Sequence, residues 1–146
     1  GFAKGNFPSA IVKTDQERAH NLKGYIFRDW IDHKWEVSLK LDGSSMTAYN
    51  IGGELGVCSR NIDLKIDDEN KDNTFVKLFH ETGLAEFMKQ FENIAIQGEA
   101  IGIGIQNNRE KINGHELYVF NVQNITERCF FNSLDRKDLI EFAQSK

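Results

Sequence analysis

Residues Trp35–Gly43, with the sequence WEVSLKLDG, carry the pattern on which the interpretation of this chain depends. Apolar and polar residues alternate from Trp35 to Asp42, and such alternation is typical of a β-strand with one buried face. Because successive strand side chains point to opposite faces, Lys40 and Asp42 are predicted to share the polar face. Gly43 then lets the backbone bend or approach a ligand closely. The stretch predicts a strand that presents an amine and a carboxylate beside a glycine.

The composition is that of one globular domain. The chain has 146 residues, of which 40% are hydrophobic and 27% charged, so it can form a substantial core. Its net charge of −4 gives no overall basic surface, and any contact with nucleic acid requires a local patch or a further domain. Cys58 and Cys129 lack the spacing of a zinc site or a disulfide framework. Without a signal sequence or a transmembrane-length apolar run, we expect a soluble, cytoplasmic monomer that does not contact membranes.

Turn and capping patterns predict the elements of the first half. Thr14–Glu17 has the pattern of a capping box and predicts a short helix over residues 15–22. Gly52-Gly53 predicts a tight turn that pairs a strand over residues 46–51 with one over residues 54–60. The polar run at residues 67–73 lacks the ligand spacing of a calcium loop and is predicted to be a solvated loop.

The second half is predicted to contain two helices and two strands. Leu84–Phe91 has apolar residues at helical spacing behind a possible cap at Thr82. Strands are predicted over residues 94–101 and 117–122, followed by a helix at Asp135–Ala143 that Asp135 caps. Because several strands are joined by tight turns, the expected fold is α+β, with a largely antiparallel sheet and flanking helices.

Four segments contain residue types that suit a nucleotide site. An arginine offers a planar fork to phosphate oxygens, and a carboxylate accepts strong hydrogen bonds from ribose hydroxyls. A phenylalanine ring can stack on a base, and a lysine amine can act as a nucleophile. In chain order, the segments are Lys40–Ser45, Ser59–Asn61, Ile96–Gly102 and Leu117–Val122.

These segments resemble, in order and spacing, motifs I, Ia, III and IIIa of the covalent nucleotidyltransferases, which include ATP-dependent ligases and mRNA capping enzymes. The resemblance implies the ligase adenylation-domain fold and a lysyl-AMP intermediate on Lys40 as the catalytic residue. It also implies a nucleotide site, with no metal ligand assigned, that comprises Lys40, Asp42, Gly43, Ser44, Arg60, Glu99 and Phe120.

Taken singly, the same residues have structural explanations. Glu99 could be an exposed strand carboxylate, Arg60 a surface cation and Phe120 a core residue. The four histidines have no metal-ligand spacing, and neither a dinucleotide-binding glycine pattern nor a phosphate-binding P-loop is present. The order and separation of all four segments favour the nucleotidyltransferase interpretation.

Within that superfamily the chain resembles RNA ligases. Phe7-Pro8 and the segment Lys13–Asn21 are similar to the lead-in to the catalytic core of phage and bacterial RNA-repair ligases. The resemblance implies ATP, Mg²⁺ or Mn²⁺, and RNA ends that bear a 5′-phosphate and a 3′-hydroxyl. Leu39 departs from the acidic residue often found before the lysine. A DNA ligase, a capping guanylyltransferase and a non-catalytic nucleotide-binding module of the same fold remain alternatives.

The resemblance extends from Phe7 to about Val122, and the later motifs of the family are missing. No segment after Phe120 matches motif IV, which contains a glutamate, or motif V, which contains lysines. Residues 1–146 are therefore expected to be a partial, C-terminally incomplete adenylation domain that binds nucleotide but is weakly active or inactive by itself.

Overall fold

A computed structural model describes residues 1–145 as an α+β fold built on one seven-stranded sheet. All strand pairs are antiparallel, which confirms the predicted fold class. The strands are β1 (Ala3–Asn6), β2 (Ser44–Ile51), β3 (Glu54–Cys58), β4 (Ile62–Leu64), β5 (Ile94–Gly102), β6 (His115–Asn124) and β7 (Cys129–Phe130). The α-helices are α1 (Thr74–Glu81), α2 (Leu84–Met88) and α3 (Ser133–Gln144), and a π-helical turn occupies Tyr25–Asp29.

The central strand of the sheet is β2, and the strand order is β1-β4-β3-β2-β5-β6-β7. Gly52 and Gly53 form the predicted turn between β2 and β3, with φ angles of 59° and 89°. Positive φ angles favour glycine, which explains why this dipeptide specifies the hairpin. The predicted strands over residues 94–101 and 117–122 are also present, as β5 and β6.

The two faces of the sheet are covered differently. On the helical face, Met46 and Ile96 pack with residues of α1 and α2, such as Phe79 and Met88, to form the main core. On the opposite face, Phe7 and Ile11 pack over a second cluster that includes Tyr49, Cys58 and Ala95. We call residues 7–15 the N-terminal strap and the side they cover the strap face.

The predicted strand at Trp35–Asp42 is wrong. Residues 34–41 have no strand structure, and β2 begins only at Ser44. Val37 and Leu39 are 92% and 81% exposed, so the alternating apolar side chains cover no core within residues 1–145. A strand needs a neighbouring strand for its backbone hydrogen bonds, and none lies beside this segment in the part of the chain that the structure describes.

The predicted helix over residues 15–22 is also wrong. Thr14, which was predicted to be its N-cap, is instead hydrogen-bonded to Ser45, and the next residue, Asp15, is paired with Arg60. Side chains of this type can bond to distant groups as well as to a helix terminus, so their sequence pattern alone does not fix a helix.

Both helices predicted in the second half are present, but their caps differ from the prediction and the first ends at Met88 rather than Phe91. Helix α2 follows Gly83, which has a φ of 74°, and Thr82 instead ends α1, an element that the sequence pattern did not reveal. The C-terminal helix begins at Ser133 because the Asn132 side chain accepts a hydrogen bond from the Asp135 backbone N–H. Asp135 therefore lies in its first turn rather than at its cap.

Residues 67–73 form turns, as predicted, and the run also has structural roles. Asn73 caps α1 by accepting the backbone N–H of Phe75 at 2.9 Å. The Asn70 side chain donates to the carbonyls of Phe2 and Lys65 at 2.8 and 3.0 Å. No helix within residues 1–145 has the length and apolar character needed to cross a membrane.

Replacing Tyr49 with phenylalanine is expected to destabilise the fold by about 1–3 kcal/mol, because the buried Asp63 carboxylate would lose the shortest of its hydrogen bonds. The Tyr49 hydroxyl donates to Asp63 Oδ2 at 2.8 Å, and both residues are buried. Urea denaturation of the variant measures the loss. Tyr25→Phe is the matched control, since the Tyr25 ring is 51% exposed. Equal free energies of unfolding for the Tyr49 variant and the unaltered chain would show that the Tyr49–Asp63 hydrogen bond does not stabilise the fold.

Candidate nucleotide site

The first contact of the site joins two of the sequence motifs. The backbone N–H of Gly43 donates to Glu99 Oε1 at 3.0 Å. Gly43 lies just before β2 and Glu99 lies in β5, and the pairing of these strands sets Ser45 opposite Glu99. The Lys40–Gly43 segment and the carboxylate of the third motif are therefore held at the same end of the sheet.

Gly43 is required here for steric reasons. A Cβ atom at this position would lie 2.2 Å from the carbonyl oxygen of Ala100 and 2.6 Å from a side-chain carbon of Ile101. The first neighbour is backbone and cannot rotate away, so any larger residue must displace β2 from β5. Only glycine allows the segment that carries Lys40 to approach Glu99 this closely.

Lys40 is exposed, three residues before Gly43. Within residues 1–145 its amine makes no hydrogen bond or ion pair with another side chain. Three peptide units span at most about 11 Å, so Lys40 remains at the Glu99 end of the sheet although it is not on a strand.

Asp42 is paired with a residue that sequence reasoning missed. Arg109 Nε lies 2.9 Å from Asp42 Oδ2, and the two side chains are 68% and 41% exposed. Arg109 belongs to the loop between β5 and β6, and nothing in its local sequence indicates that the loop folds back over the lysine segment.

Ser44 and Ser45 lie on opposite faces of β2. Ser44 opposes Ala100, a residue of the main core, whereas Ser45 opposes Glu99. Because strand side chains alternate, Ser45 rather than Ser44 shares the strap face with Glu99. The Ser45 hydroxyl is hydrogen-bonded to that of Thr14 at 2.6 Å. Ser45 is therefore the serine on the Glu99 face, and the assignment of Ser44 to the nucleotide site stays a prediction.

Arg60 follows β3 and is held by the N-terminal strap. Its Nε and Nη2 atoms donate to Asp15 Oδ1 at 3.0 and 2.5 Å. The Thr14–Ser45 contact is made by the preceding strap residue, so Arg60, the strap and the Glu99 end of β5 are linked through β2.

Phe120 occupies an irregular position in β6. Val119 pairs with Gly98 and Asn121 pairs with Gln97, so Phe120 is the extra residue of a β-bulge. Bulges turn a side chain away from the regular alternation and occur frequently beside functional sites. The half-buried Phe120 side chain lies on the strand next to Glu99, whose direct partner is Tyr118.

The residues present fit a hydrated divalent cation bound together with phosphates. Mg²⁺ keeps several waters and is bound through one or two carboxylates plus substrate phosphates. Asp42, next to Gly43, supplies one such carboxylate. No cluster of three or more acidic, histidine or cysteine side chains that could hold a metal without such a substrate occurs in the described chain.

Two buried amides, of Gln97 within the third segment and of Gln123 just after the fourth, have a supporting role that the motifs did not indicate. Gln97 Nε2 donates to the Val12 carbonyl at 2.7 Å, and the Val12 N–H donates to Gln123 Oε1 at 3.0 Å. The two glutamines are 0% and 2% exposed. Gln97 lies in the interior of a predicted strand. A buried polar group requires a partner, so this position was a signal that another segment contacts it.

Comparisons with known proteins identify the family of the chain. A family model described as RNA ligase matches residues 33–145. An RNA ligase of Naegleria gruberi solved with PPi is 36% identical with a TM-score of 0.91, and a point variant solved with ATP and Mn is 35% identical with a TM-score of 0.92. A second variant, solved with AMP and Mn, is 34% identical with a TM-score of 0.88.

Each of these matches covers 99% of this chain and 42% of the solved ligase. A search of curated protein sequences gives no match. The fold is that of a nucleotidyltransferase-type ligase adenylation domain, and the chain belongs to the RNA ligase family.

Proposed function

We propose that this chain is the nucleotide-binding part of an ATP-dependent RNA ligase, in which Lys40 becomes adenylated. The observation that carries the proposal is the hydrogen bond from Gly43 to Glu99, because it joins the lysine segment to the carboxylate of the third motif. Membership of the RNA ligase family and the ATP and AMP complexes of similar ligases support the same assignment.

In the proposed first step, the free amine of Lys40 attacks the α-phosphorus of ATP. A nitrogen–phosphorus bond forms, the bond from that phosphorus to the bridging oxygen breaks, pyrophosphate leaves, and the amine releases a proton. The product is a lysyl-AMP phosphoramidate. Asp42 orients the Lys40 amine or a water held by the divalent cation. When bound, the cation would neutralise phosphate charge.

Three further residues bind the nucleotide in this proposal. Glu99 accepts hydrogen bonds from the ribose hydroxyls, Arg60 donates to phosphate oxygens or ribose, and Phe120 stacks on the adenine. The 5′-phosphate of an RNA end then attacks the phosphorus of lysyl-AMP, which breaks the nitrogen–phosphorus bond and releases the Lys40 amine. A 3′-hydroxyl attacks the RNA 5′-phosphorus, loses its proton and expels AMP, which joins the strands.

The complete reaction is proposed for a longer polypeptide, since the chain spans 42% of the solved ligases it matches. We propose that the remaining part supplies the motif IV glutamate and the motif V lysines. This chain alone then binds nucleotide and transfers AMP to itself slowly, and it joins RNA ends inefficiently.

The chain is expected to bind ATP more tightly than 2′-deoxy-ATP, because one hydroxyl bound by Glu99 is missing from the deoxy nucleotide. Hydrogen bonds to a charged group contribute about 1.5–3 kcal/mol, so Glu99→Ala is expected to weaken ATP binding roughly tenfold or more. The variant is also expected to lose the preference for ATP. Calorimetric titration of both nucleotides with Mg²⁺ measures this.

Glu92→Gln is the matched control, since Glu92 is exposed near the other end of β5. Equal binding of the two nucleotides by the unaltered chain would contradict the role of Glu99. Tighter binding of GTP than ATP would favour a capping guanylyltransferase, and reversible ATP binding without adduct in the complete protein would favour a binding module.

A further inference from the structure

We propose that Asp15 is a positioning residue for Arg60, holding its guanidinium in place so that the remaining N–H donors serve the nucleotide. The inference rests on the proposed nucleotide site. It is carried by the path of the N-terminal strap, which brings a carboxylate from far along the chain to this arginine.

The strap is fixed to the sheet by buried groups. Ile11 is 4% exposed, and both backbone polar groups of Val12 are bonded to the amides of Gln97 and Gln123. Satisfied hydrogen bonds of buried amides resist displacement, because breaking them leaves polar groups unpaired away from water. The backbone three residues before Asp15 therefore has a defined position on the strap face.

The next strap residues lead to the candidate site. Thr14 is hydrogen-bonded to Ser45, which is opposite Glu99 in the β2–β5 register. Lys13 Nζ donates at 3.1 Å to Oδ1 of Asn61, the residue that follows Arg60. The two residues before Asp15 therefore contact β2 and the turn between β3 and β4 that contains Arg60.

The hydrogen bonds of Arg60 leave donors for a ligand. An arginine side chain has five N–H groups, and Asp15 Oδ1 accepts from Nε and from Nη2. Within residues 1–145 the other three have no protein acceptor. An anchored guanidinium loses less side-chain freedom when it binds phosphate, so anchoring increases affinity.

The direction in which removal of Asp15 changes nucleotide affinity separates a positioning role from repulsion of the nucleotide or blocking of Arg60. Asp15 is negatively charged, so by charge alone it should repel an anionic nucleotide, and its removal should then tighten binding. If Asp15 instead blocked Arg60, its removal would also tighten binding. A positioning role predicts weaker binding.

Thermal unfolding of the Asp15→Asn variant tests whether Asp15 acts on stability instead. The Arg60 and Asp15 side chains are 67% and 53% exposed, and exposed ion pairs contribute little to stability. Asp15→Asn is therefore expected to leave the melting temperature unchanged, so a loss of binding would not reflect unfolding.

The test compares Mg²⁺-ATP affinity of the chain by calorimetry in the variants Asp15→Asn, Asp15→Glu and Arg60→Ala and in the double variant. Asp15→Asn is expected to weaken binding roughly three- to tenfold, the range for losing one pre-ordered side chain. Asp15→Glu restores part of that loss, and Asp15→Asn adds no loss in the Arg60→Ala background. Asp72→Asn is the matched control, since Asp72 forms an exposed ion pair with Lys77 away from the site.

Each outcome decides the proposal. Unchanged or tighter binding by Asp15→Asn, or an equal further loss in the Arg60→Ala background, overturns the positioning role and leaves the proposed function intact. No ATP binding by the unaltered chain overturns both the proposed function and this inference. A weakening that requires Arg60 and is partly restored by glutamate supports the proposal.

Discussion

Lys40→Ala is expected to reduce ATP-dependent labelling of the protein by at least about 10³-fold, because no other group can take the role of the removed nucleophile. Lys40 is exposed, so the variant should retain the stability of the unaltered chain. ATP binding should change far less than labelling. The measurement is the incorporation of α-labelled ATP after denaturation, made on the chain and on the complete polypeptide.

Two further variants separate the nucleophile from its charge. Lys40→Arg keeps a cation but offers no free amine under the same conditions, so it should also fail to label. Lys34→Ala removes a nearby exposed lysine and should label normally. Normal labelling of Lys40→Ala would show that another residue carries the adduct and would overturn the assignment.

Gly43→Ala is expected to have the second largest effect, lowering both labelling and stability. The added Cβ would lie 2.2 Å from the Ala100 carbonyl oxygen, so β2 and β5 must move apart at the site. Overpacking of this kind typically costs about 1–3 kcal/mol. A displacement of about 1 Å in a reacting group can lower the rate about 10²-fold.

Thermal unfolding and α-labelled ATP incorporation measure the two effects of Gly43→Ala. Gly24→Ala is the matched control, since a Cβ there meets no atom within 4 Å and its φ is −63°. Wild-type melting and labelling by the Gly43 variant would contradict the close approach of the lysine segment to Glu99.

The sequence predicted the elements whose signals are local. The Gly52-Gly53 turn and the strands around it depend on backbone angles that neighbouring residues specify. The α+β class followed from these turns, and it is confirmed.

The errors arose where a local pattern depends on a distant partner. Alternation in Trp35–Asp42 predicted a strand, but strand structure also requires a paired neighbour, which the pattern cannot reveal. Thr14 and Glu17 match a capping box, yet the Thr14 side chain is hydrogen-bonded to Ser45, in a strand distant in sequence.

The sequence placed some residues of the candidate site together but did not reveal the residues that contact them. Gly43 and Glu99 were expected in one site, and the structure brings them into direct hydrogen-bonding contact. Arg109 was missed because it approaches Asp42 through a loop, and the face of β2 on which each serine lies depends on a strand register that could not be counted from the sequence.

The most direct test of the central claim is to locate the adduct. The chain and the complete polypeptide are incubated with Mg²⁺ and ATP, digested, and analysed by mass spectrometry. The account predicts AMP on the peptide that contains Lys40, with more adduct in the complete polypeptide. An adduct on any other residue, or bound ATP with no adduct in either protein, would contradict it.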